Sequence, residues 1–265
     1  MNELKGALKI DEKFAILQKL IKEEQRVSVS GLSEFLGVSE VTVRRYLSKL
    51  EREGFVKRVR GGAILSETLD PAVTFATWLI HSKEDQEWKS KIGKVASTLI
   101  KRGSTIILDA GTTILEVARS MRKQVLSEVK VVTNNIPAVL ELSNLSNITM
   151  IIIGGDVRVP SLSTVGPKSV SFLDGLNVDL LFLSVQGVSI EKGLTNTSLS
   201  DLPLKKAMIS AAKEVVLVAD SSKFGRVEFC NVAPISAVHK IVTDGRLLTS
   251  TRKEVEALGI ELLLA

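Results

Sequence analysis

From Lys91 to the end the chain repeats one pattern: a short apolar run ends in a small polar loop, and a helix-forming segment follows. The helix "KIGKVASTLIKRG" leads to "STIILD", the loop "AGTT" and the helix "ILEVARSM"; "VKVVTN" then precedes a helix entered at Pro137, and "ITMIII" runs into Gly154-Gly155. Later come the strand "LLFLSV", the helix "LPLKKAMISAAKE", the strands "VVLVAD" and "KIVTD", the helix "TRKEVEAL" and the strand "IELLLA". Strands covered by helices on both faces lose polar alternation, so this pattern predicts an α/β domain with a mostly parallel sheet.

Ligands of such sheets sit at the carboxyl ends of the strands. The polar loops "DAGTT", "TNN", "GGD", "SVQG" and "DSSK" fall at those ends. The first is the most informative. Asp109 ends a strand, Gly111 lets the backbone turn closely, and Thr112 and Thr113 open a helix. Amides and hydroxyls at a helix N-terminus suit an anion such as phosphate. The same residues also cap helices that bind nothing. Neither a Gly-Lys-Ser/Thr loop nor a Gly-x-Gly-x-x-Gly fingerprint is present.

The first sixty residues have a different rhythm. Phe14, Leu17 and Ile21, with Ile16 and Leu20 beside them, have helical spacing over 11–25. "SVSGLSEFLG" offers a serine at either of two N-cap positions, with Leu32, Phe35 and Leu36 as the expected buried face. Gly37 suits the positive φ of a helix end. Ser39 caps a third helix, Glu40 to Glu53, which stops before Gly54. Two helices joined by "GVS" match a helix-turn-helix.

On a wheel of about 100° per residue, Val43, Leu47 and Leu50 of the third helix face the core. Val41, Arg45, Ser48 and Arg52 lie opposite, flanked by Arg44 and Lys49. The N-terminal side chains of a second helix of this kind enter the major groove of DNA, where arginine reads guanine and valine meets a thymine methyl. Beyond Gly54, "FVKRVRGGAIL" predicts a small hairpin, or wing, whose Lys57, Arg58 and Arg60 suit phosphate contact.

Charge agrees with that placement. The 265 residues carry a net +5; residues 41–62 alone hold 7 basic and 2 acidic side chains, whereas residues 63–265 hold 22 and 21. The excess sits in one short stretch, the footprint of a polyanion-binding face. Hydrophobic content of 45% supports a buried core. One cysteine, Cys230, allows no internal disulfide and fits a reducing cytoplasm, as a small buried residue. No signal peptide or membrane span is evident, so a cytoplasmic protein with no membrane partner is expected. Trp78 and Trp88 are read as packing or interface residues, and His81, His239 and Cys230 form no metal or catalytic constellation. No metal, cofactor or catalytic residue is expected.

Residues 12–65, through "VSVSGLSEFLGVSEVTVRRYLSKLEREGFVKRVRGGA", resemble the DNA-binding domain of the DeoR family of bacterial transcriptional regulators. Where that family usually has an acid, this chain has Tyr46, about 60° from the core centre, where it packs inward or reaches a phosphate. Residues 91–246 resemble the family's effector domain at "DAGTT", "TNN", "GG", "VGP", "GLT", "KKAM" and "ADSSKFG". The resemblance implies an isomerase-like α/β sensor domain, similar to ribose-5-phosphate isomerase, behind a small winged helix-turn-helix domain. It implies a phosphorylated-sugar effector, with Gly111, Thr112 and Thr113 around the phosphate. Asp109, Asn134, Gly155, Gln186, Lys205 and Lys223 complete the expected effector site. The division expected is 1–65 for DNA binding, 66–88 as linker and 89–265 for effector sensing and oligomerisation.

An isomerase of this kind needs a carboxylate base. The isomerase family carries its acids at positions that correspond here to Ser184, Gln186 and Lys205, leaving Asp201 as the one nearby acid, expected to partner Lys205 or a ligand hydroxyl. The reading is therefore a repressor of a sugar-metabolism operon. Its partners are double-stranded operator DNA, a phosphorylated sugar and further copies of itself, as a dimer or tetramer. The alternatives are an isomerase-like enzyme with a DNA-binding head, for which Asp201 would be the base, and a constitutive DNA-binding protein.

Overall fold

The computed structural model describes residues 17, 20–21, 24, 26–52, 56–65, 85–124 and 126–265. It divides into two compact units, Met1–Leu79 and Ile80–Ala265. Most of the helix expected over 11–25, together with Trp78 and His81, lies outside the described residues.

In the first unit, β1 (Arg26–Ser28) and α1 (Val29–Leu36) precede α2 (Glu40–Arg52), and β2 (Val56–Val59) and β3 (Gly62–Leu65) form the wing. The strands pair antiparallel in the order β1-β3-β2. Of the two candidate caps, Ser28 holds α1: its hydroxyl accepts from the Gly31 amide at 3.0 Å, and Gly37 ends the helix in the left-handed region. Ser39 accepts from the Thr42 amide at 3.2 Å and so opens α2. Val29, Leu32 and Leu36 of α1 meet Val43, Leu47 and Leu50 of α2, with Leu17 and Ile21 in the same core. The expectation for Phe35 is corrected: it is 53% exposed. Residues 29, 32 and 36 define the buried stripe, and position 35 lies about 90° from its centre.

The second unit is built on a seven-stranded sheet in the order β15-β14-β12-β9-β4-β5-β6. Its strands are β4 (Thr105–Leu108), β5 (Val129–Thr133), β6 (Ile148–Ile152), β9 (Val178–Leu183), β12 (Ala212–Val218), β14 (Lys240–Thr243) and β15 (Glu261–Leu264). Every pairing in it is parallel. The helices are α3 (Gln86–Ser97), α4 (Thr112–Met121), α5 (Ile136–Leu142), α6 (Pro167–Phe172), α7 (Leu202–Ala211) and α8 (Thr249–Ala257). Strand residues alternate between two cores. Ile106, Leu108, Leu180, Phe182, Val216 and Val218 pack with α3, α4 and α5. Ile107, Leu181, Leu183, Val215 and Leu217 pack with Leu204 and Met208 of α7 and Val255 of α8. The sheet is therefore buried on both faces, which explains its continuous apolar runs.

Two antiparallel pieces sit outside the predicted alternation. β7 (Asp156–Arg158) pairs with β8 (Ser163–Val165), and β10 (Gly187–Ser189), β11 (Gly193–Asn196) and β13 (Cys230–Ala233) form a small sheet. The helix expected to run to Glu214 ends at Ala211, because Ala212 is extended and pairs with Val178. Chain order reverses between β4 and β9: the sheet grows outward through β5 and β6, then resumes on the other side of β4. A crevice opens at such a switch point.

Beyond β14, Asp244 accepts from the Arg246 guanidinium at 2.8 and 3.2 Å and from the Ser221 amide at 2.8 Å. Burial pushes its carboxyl up, but Arg246 and the Ser221 and Arg246 amides outweigh it and hold the pKa at about 2. Arg246 also reaches Asp85 at 3.1 Å. It lies over the ring of Trp88, 4.7 Å from the centroid, which Lys91 approaches at 4.2 Å.

Candidate functional site

Two places gather the residues singled out above, one in each unit. In the first unit, α2 presents Val41, 77% exposed, and Arg45, also exposed. Thr42 is tied to Ser39, their hydroxyls 3.0 Å apart. Arg44 is exposed and its guanidinium donates to Glu40 at 3.0 Å, an i,i+4 surface pair. Tyr46 is 6% exposed and belongs to the core, so of its two expected placements it takes the inward one; the Arg45 guanidinium lies 6.0 Å from its ring. The side chains of Lys49 and Arg52 lie outside the described residues. Lys57 and Arg60 stand exposed on the wing. Arg58 does not: its guanidinium turns back onto α2 and donates to the Ser48 hydroxyl at 3.1 Å.

The second place is a cavity at the switch point between β4 and β9. From the β4 loop come Asp109, Ala110 and Gly111; from the β9 loop, Ser184, Val185 and Gln186; from β5 and α7, Asn134, Leu204 and Lys205. Gly111 has φ 142°, and a Cβ there would meet the Ser184 hydroxyl at 3.0 Å. The close approach that starts α4 beside β9 thus requires glycine. Asn135 supports the loop by donating to the Asp109 and Gly111 carbonyls at 3.2 Å each, while its side-chain oxygen caps α5 at the Ala138 amide.

The floor of the cavity is a buried ion pair. Lys205, 6% exposed, donates to Asp109, 1% exposed, at 2.5 Å, and also to the Ser184 carbonyl at 2.7 Å. Asp109 further accepts from the Ala110 amide at 2.7 Å and the Ser184 amide at 3.1 Å. A buried lysine needs a counter-charge and hydrogen bonds, and this one has both. Above the floor, Asn134 is buried and its amide nitrogen donates to the Thr164 carbonyl at 3.1 Å. Its side-chain oxygen is buried with no hydrogen-bond partner. A buried acceptor left unmade is costly, so a donor arriving in the cavity gains by meeting it.

Of the residues expected around an effector, Asp109, Gly111, Asn134, Gln186 and Lys205 lie on the cavity walls. Thr112, Thr113, Gly155 and Lys223 do not. Thr113 is buried in α4. Gly155 serves packing: a Cβ there would come within 2.1 Å of the Ser169 hydroxyl and 2.5 Å of the Val165 carbonyl. Lys223 sits in a short turn capped by Asp220.

The expected partner of Lys205 is corrected as well. Asp201 precedes α7 and accepts from Asn196 at 3.2 Å, with the Arg158 guanidinium 3.5 Å away. Only the Lys205 amide bonds it, through the Asp201 carbonyl, as the first turn of a helix does. Asp201 is also not the one acid of the cavity, since Asp109 forms part of its wall. Sequence reasoning missed Arg158, Ser161, Ser163 and Asn196, which the β7–β8 hairpin and β11 bring to the cavity. Their signal was the alternation of Val157 and Val159 with Arg158.

Among the described residues, no cluster of three or more His, Cys, Asp or Glu side chains is arranged to hold a metal, and no helix is long and apolar enough to cross a membrane. His239 is exposed and accepts at Nδ1 from the Val215 amide at 3.0 Å. Cys230 is buried and its thiol donates to the Asn196 carbonyl at 3.0 Å.

Comparison with known proteins places both units. Residues 14–68 match the DeoR-like helix-turn-helix domain, and residues 84–245 match the DeoR C terminal sensor domain. The chain is similar to the HTH-type transcriptional regulator GlpR of Haloferax volcanii, 34% identical over 91% of this chain and 92% of that one. It is 30% identical to the HTH-type transcriptional repressor GlcR of Bacillus subtilis over 96% of each chain. It is also 30% identical to a putative aga operon transcriptional repressor of Escherichia coli O157:H7, over 94% of this chain and 91% of that one. Among solved structures, ribose 5-phosphate isomerase A of Methanocaldococcus jannaschii aligns at TM-score 0.39 and 21% identity, over 53% of this chain and 55% of that one. With a groove-reading helix and wing in one unit and a cavity at a parallel-sheet switch point in the other, this chain belongs to the DeoR family of DNA-binding transcriptional regulators.

Proposed function

We propose that this regulator is a repressor whose hold on operator DNA is set by a phosphorylated sugar bound at the β4–β9 switch point. The observation that carries the reading is the cavity itself: a buried lysine on its floor, an arginine in its wall, and the unpartnered Asn134 oxygen aimed at a hydroxyl donor. Cations suit the phosphate, and a stranded acceptor suits a polyol. Gln186, Asn196 and Asp201 line the same space and offer further hydroxyl partners. Two relatives carry the word repressor in their names, which favours that sign of control. The enzymatic alternative fares worse, because three donors engage Asp109 and Asp201 is bonded to Asn196 and faces Arg158.

In this reading Arg45 and Val41 read bases, and Arg44, Lys49, Lys57 and Arg60 hold phosphates. Copies associate as a dimer or tetramer in the cytoplasm, so that paired heads meet repeated half-sites. Ligand binds one arrangement better than the other and shifts the DNA-competent population.

The test is a thermal-shift panel of sugar phosphates beside their unphosphorylated counterparts. A true effector at a hundred times its Kd stabilises by about 2.7 kcal/mol. That shift must vanish in Asn134→Leu and for the unphosphorylated sugar. Equal stabilisation by the phosphorylated and unphosphorylated forms, or none by any sugar phosphate, sinks the proposal.

A further inference from the structure

We propose that Arg58 is a positioning residue that clamps the wing to the reading helix, and that it does not spend its charge on a DNA phosphate. Three observations carry this. The guanidinium Nη1 donates to the Ser48 hydroxyl at 3.1 Å and to the Arg44 carbonyl at 3.4 Å. The Arg58 backbone amide donates to the Glu51 carboxylate at 3.1 Å. Its Nε is buried without a hydrogen-bond partner, whereas an arginine held for a phosphate would keep that group in water.

Residues 44, 48 and 51 form a single stripe along α2, each about a turn from the next. Arg58 therefore grips the helix on the turn that bears Arg45, and β2 follows the helix through both side-chain and main-chain bonds. The guanidinium's planar fork fits the task, since one nitrogen spans a hydroxyl and a carbonyl that a lysine would meet singly. The wing's neighbouring cations differ: Lys57 and Arg60 are exposed, and they remain the groups that meet phosphates. Arg58 sets the angle at which helix and wing enter the DNA together.

This inference rests on α2 being the helix in the groove, which Arg45→Ala tests separately by loss of sequence discrimination. The experiment for Arg58 measures binding of the full chain to duplex DNA from upstream of its own gene, across a series of salt concentrations. Arg60→Ala should lower the slope of log affinity against log salt by about 0.9 per head, as the loss of one phosphate contact does. Arg58→Ala should leave that slope unchanged yet weaken binding about tenfold, the scale of one lost bond to a charged group. The double variant Arg58→Ala/Ser48→Ala should bind no worse than Arg58→Ala alone. Arg58→Lys keeps the charge and most of the stem, so it guards against simple misfolding, and it should stay weak with the slope intact. A slope that falls by about 0.9 in Arg58→Ala, additive losses in the double variant, or full binding by Arg58→Lys would each overturn the proposal.

Discussion

On α2, Arg44 and Arg45 stand in solvent, and the one pair formed there, Arg44 with Glu40, is a surface contact. In the cavity, Lys205 and Asp109 are almost wholly buried and share between them every strong bond of the floor. The same side-chain chemistry thus works in two regimes. Exposed cations cost the fold little and remain available to a polyanion, but salt screens them. A buried cation demands a built environment and gives in return a fixed charge that water does not weaken. The first region is tuned by adding or removing charge. The second is tuned by moving its partners.

The strongest way to break this contrast is Asp109→Ala. It leaves Lys205 buried without its counter-charge, and the sensor unit should lose about 3–5 kcal/mol in chemical denaturation. A loss below about 1 kcal/mol would mean that the pair behaves like a surface bridge. Next comes Asp244, a second buried carboxylate of the same unit. Its pKa is depressed to about 2, so its stabilisation is complete above the ordinary carboxylate range and fades as pH falls through about 2. Asp244→Asn should cost about 2 kcal/mol at neutral pH, and the gap from the natural chain should close on acidification. In the head, Arg45→Ala should weaken operator binding by about 1–3 kcal/mol while sparing random DNA. A uniform loss on both would make Arg45 a phosphate contact instead. The smallest effect belongs to Glu40→Ala, which removes only the exposed pair and should change stability by about 0.5 kcal/mol or less.

The two regions were also unequally legible in the sequence. The α2 face was readable because one helix carries it: Val43, Leu47 and Leu50 mark the core by spacing alone, and Val41 and Arg45 must then point away. Tyr46 could be narrowed to two placements, and core packing chose between them. The parallel sheet was readable too, since its apolar runs and loops recur in order. The cavity was legible only where a loop announces itself, at Asp109 and Gly111. Its floor joins positions 96 residues apart, and no local pattern pairs Lys205 with Asp109. The local rule favoured Asp201, four residues before Lys205 and one turn away, yet a carboxylate at the start of a helix is free to turn elsewhere. Arg158, Ser161 and Ser163 were missed because their strands are three residues long and one of the pair begins just past Pro160. Phe35 was misplaced by counting apolar residues without measuring their angle.

Cys230 pairs with Asn196 across β13 and β11, and its thiol bonds the carbonyl of that same cavity residue. The chain has only this one cysteine. Alkylation there has to wait for the strands to part locally, so its rate measures how often they do. A molecule that settles against Asn196 should slow the reaction, which makes the natural, unlabelled chain its own occupancy gauge.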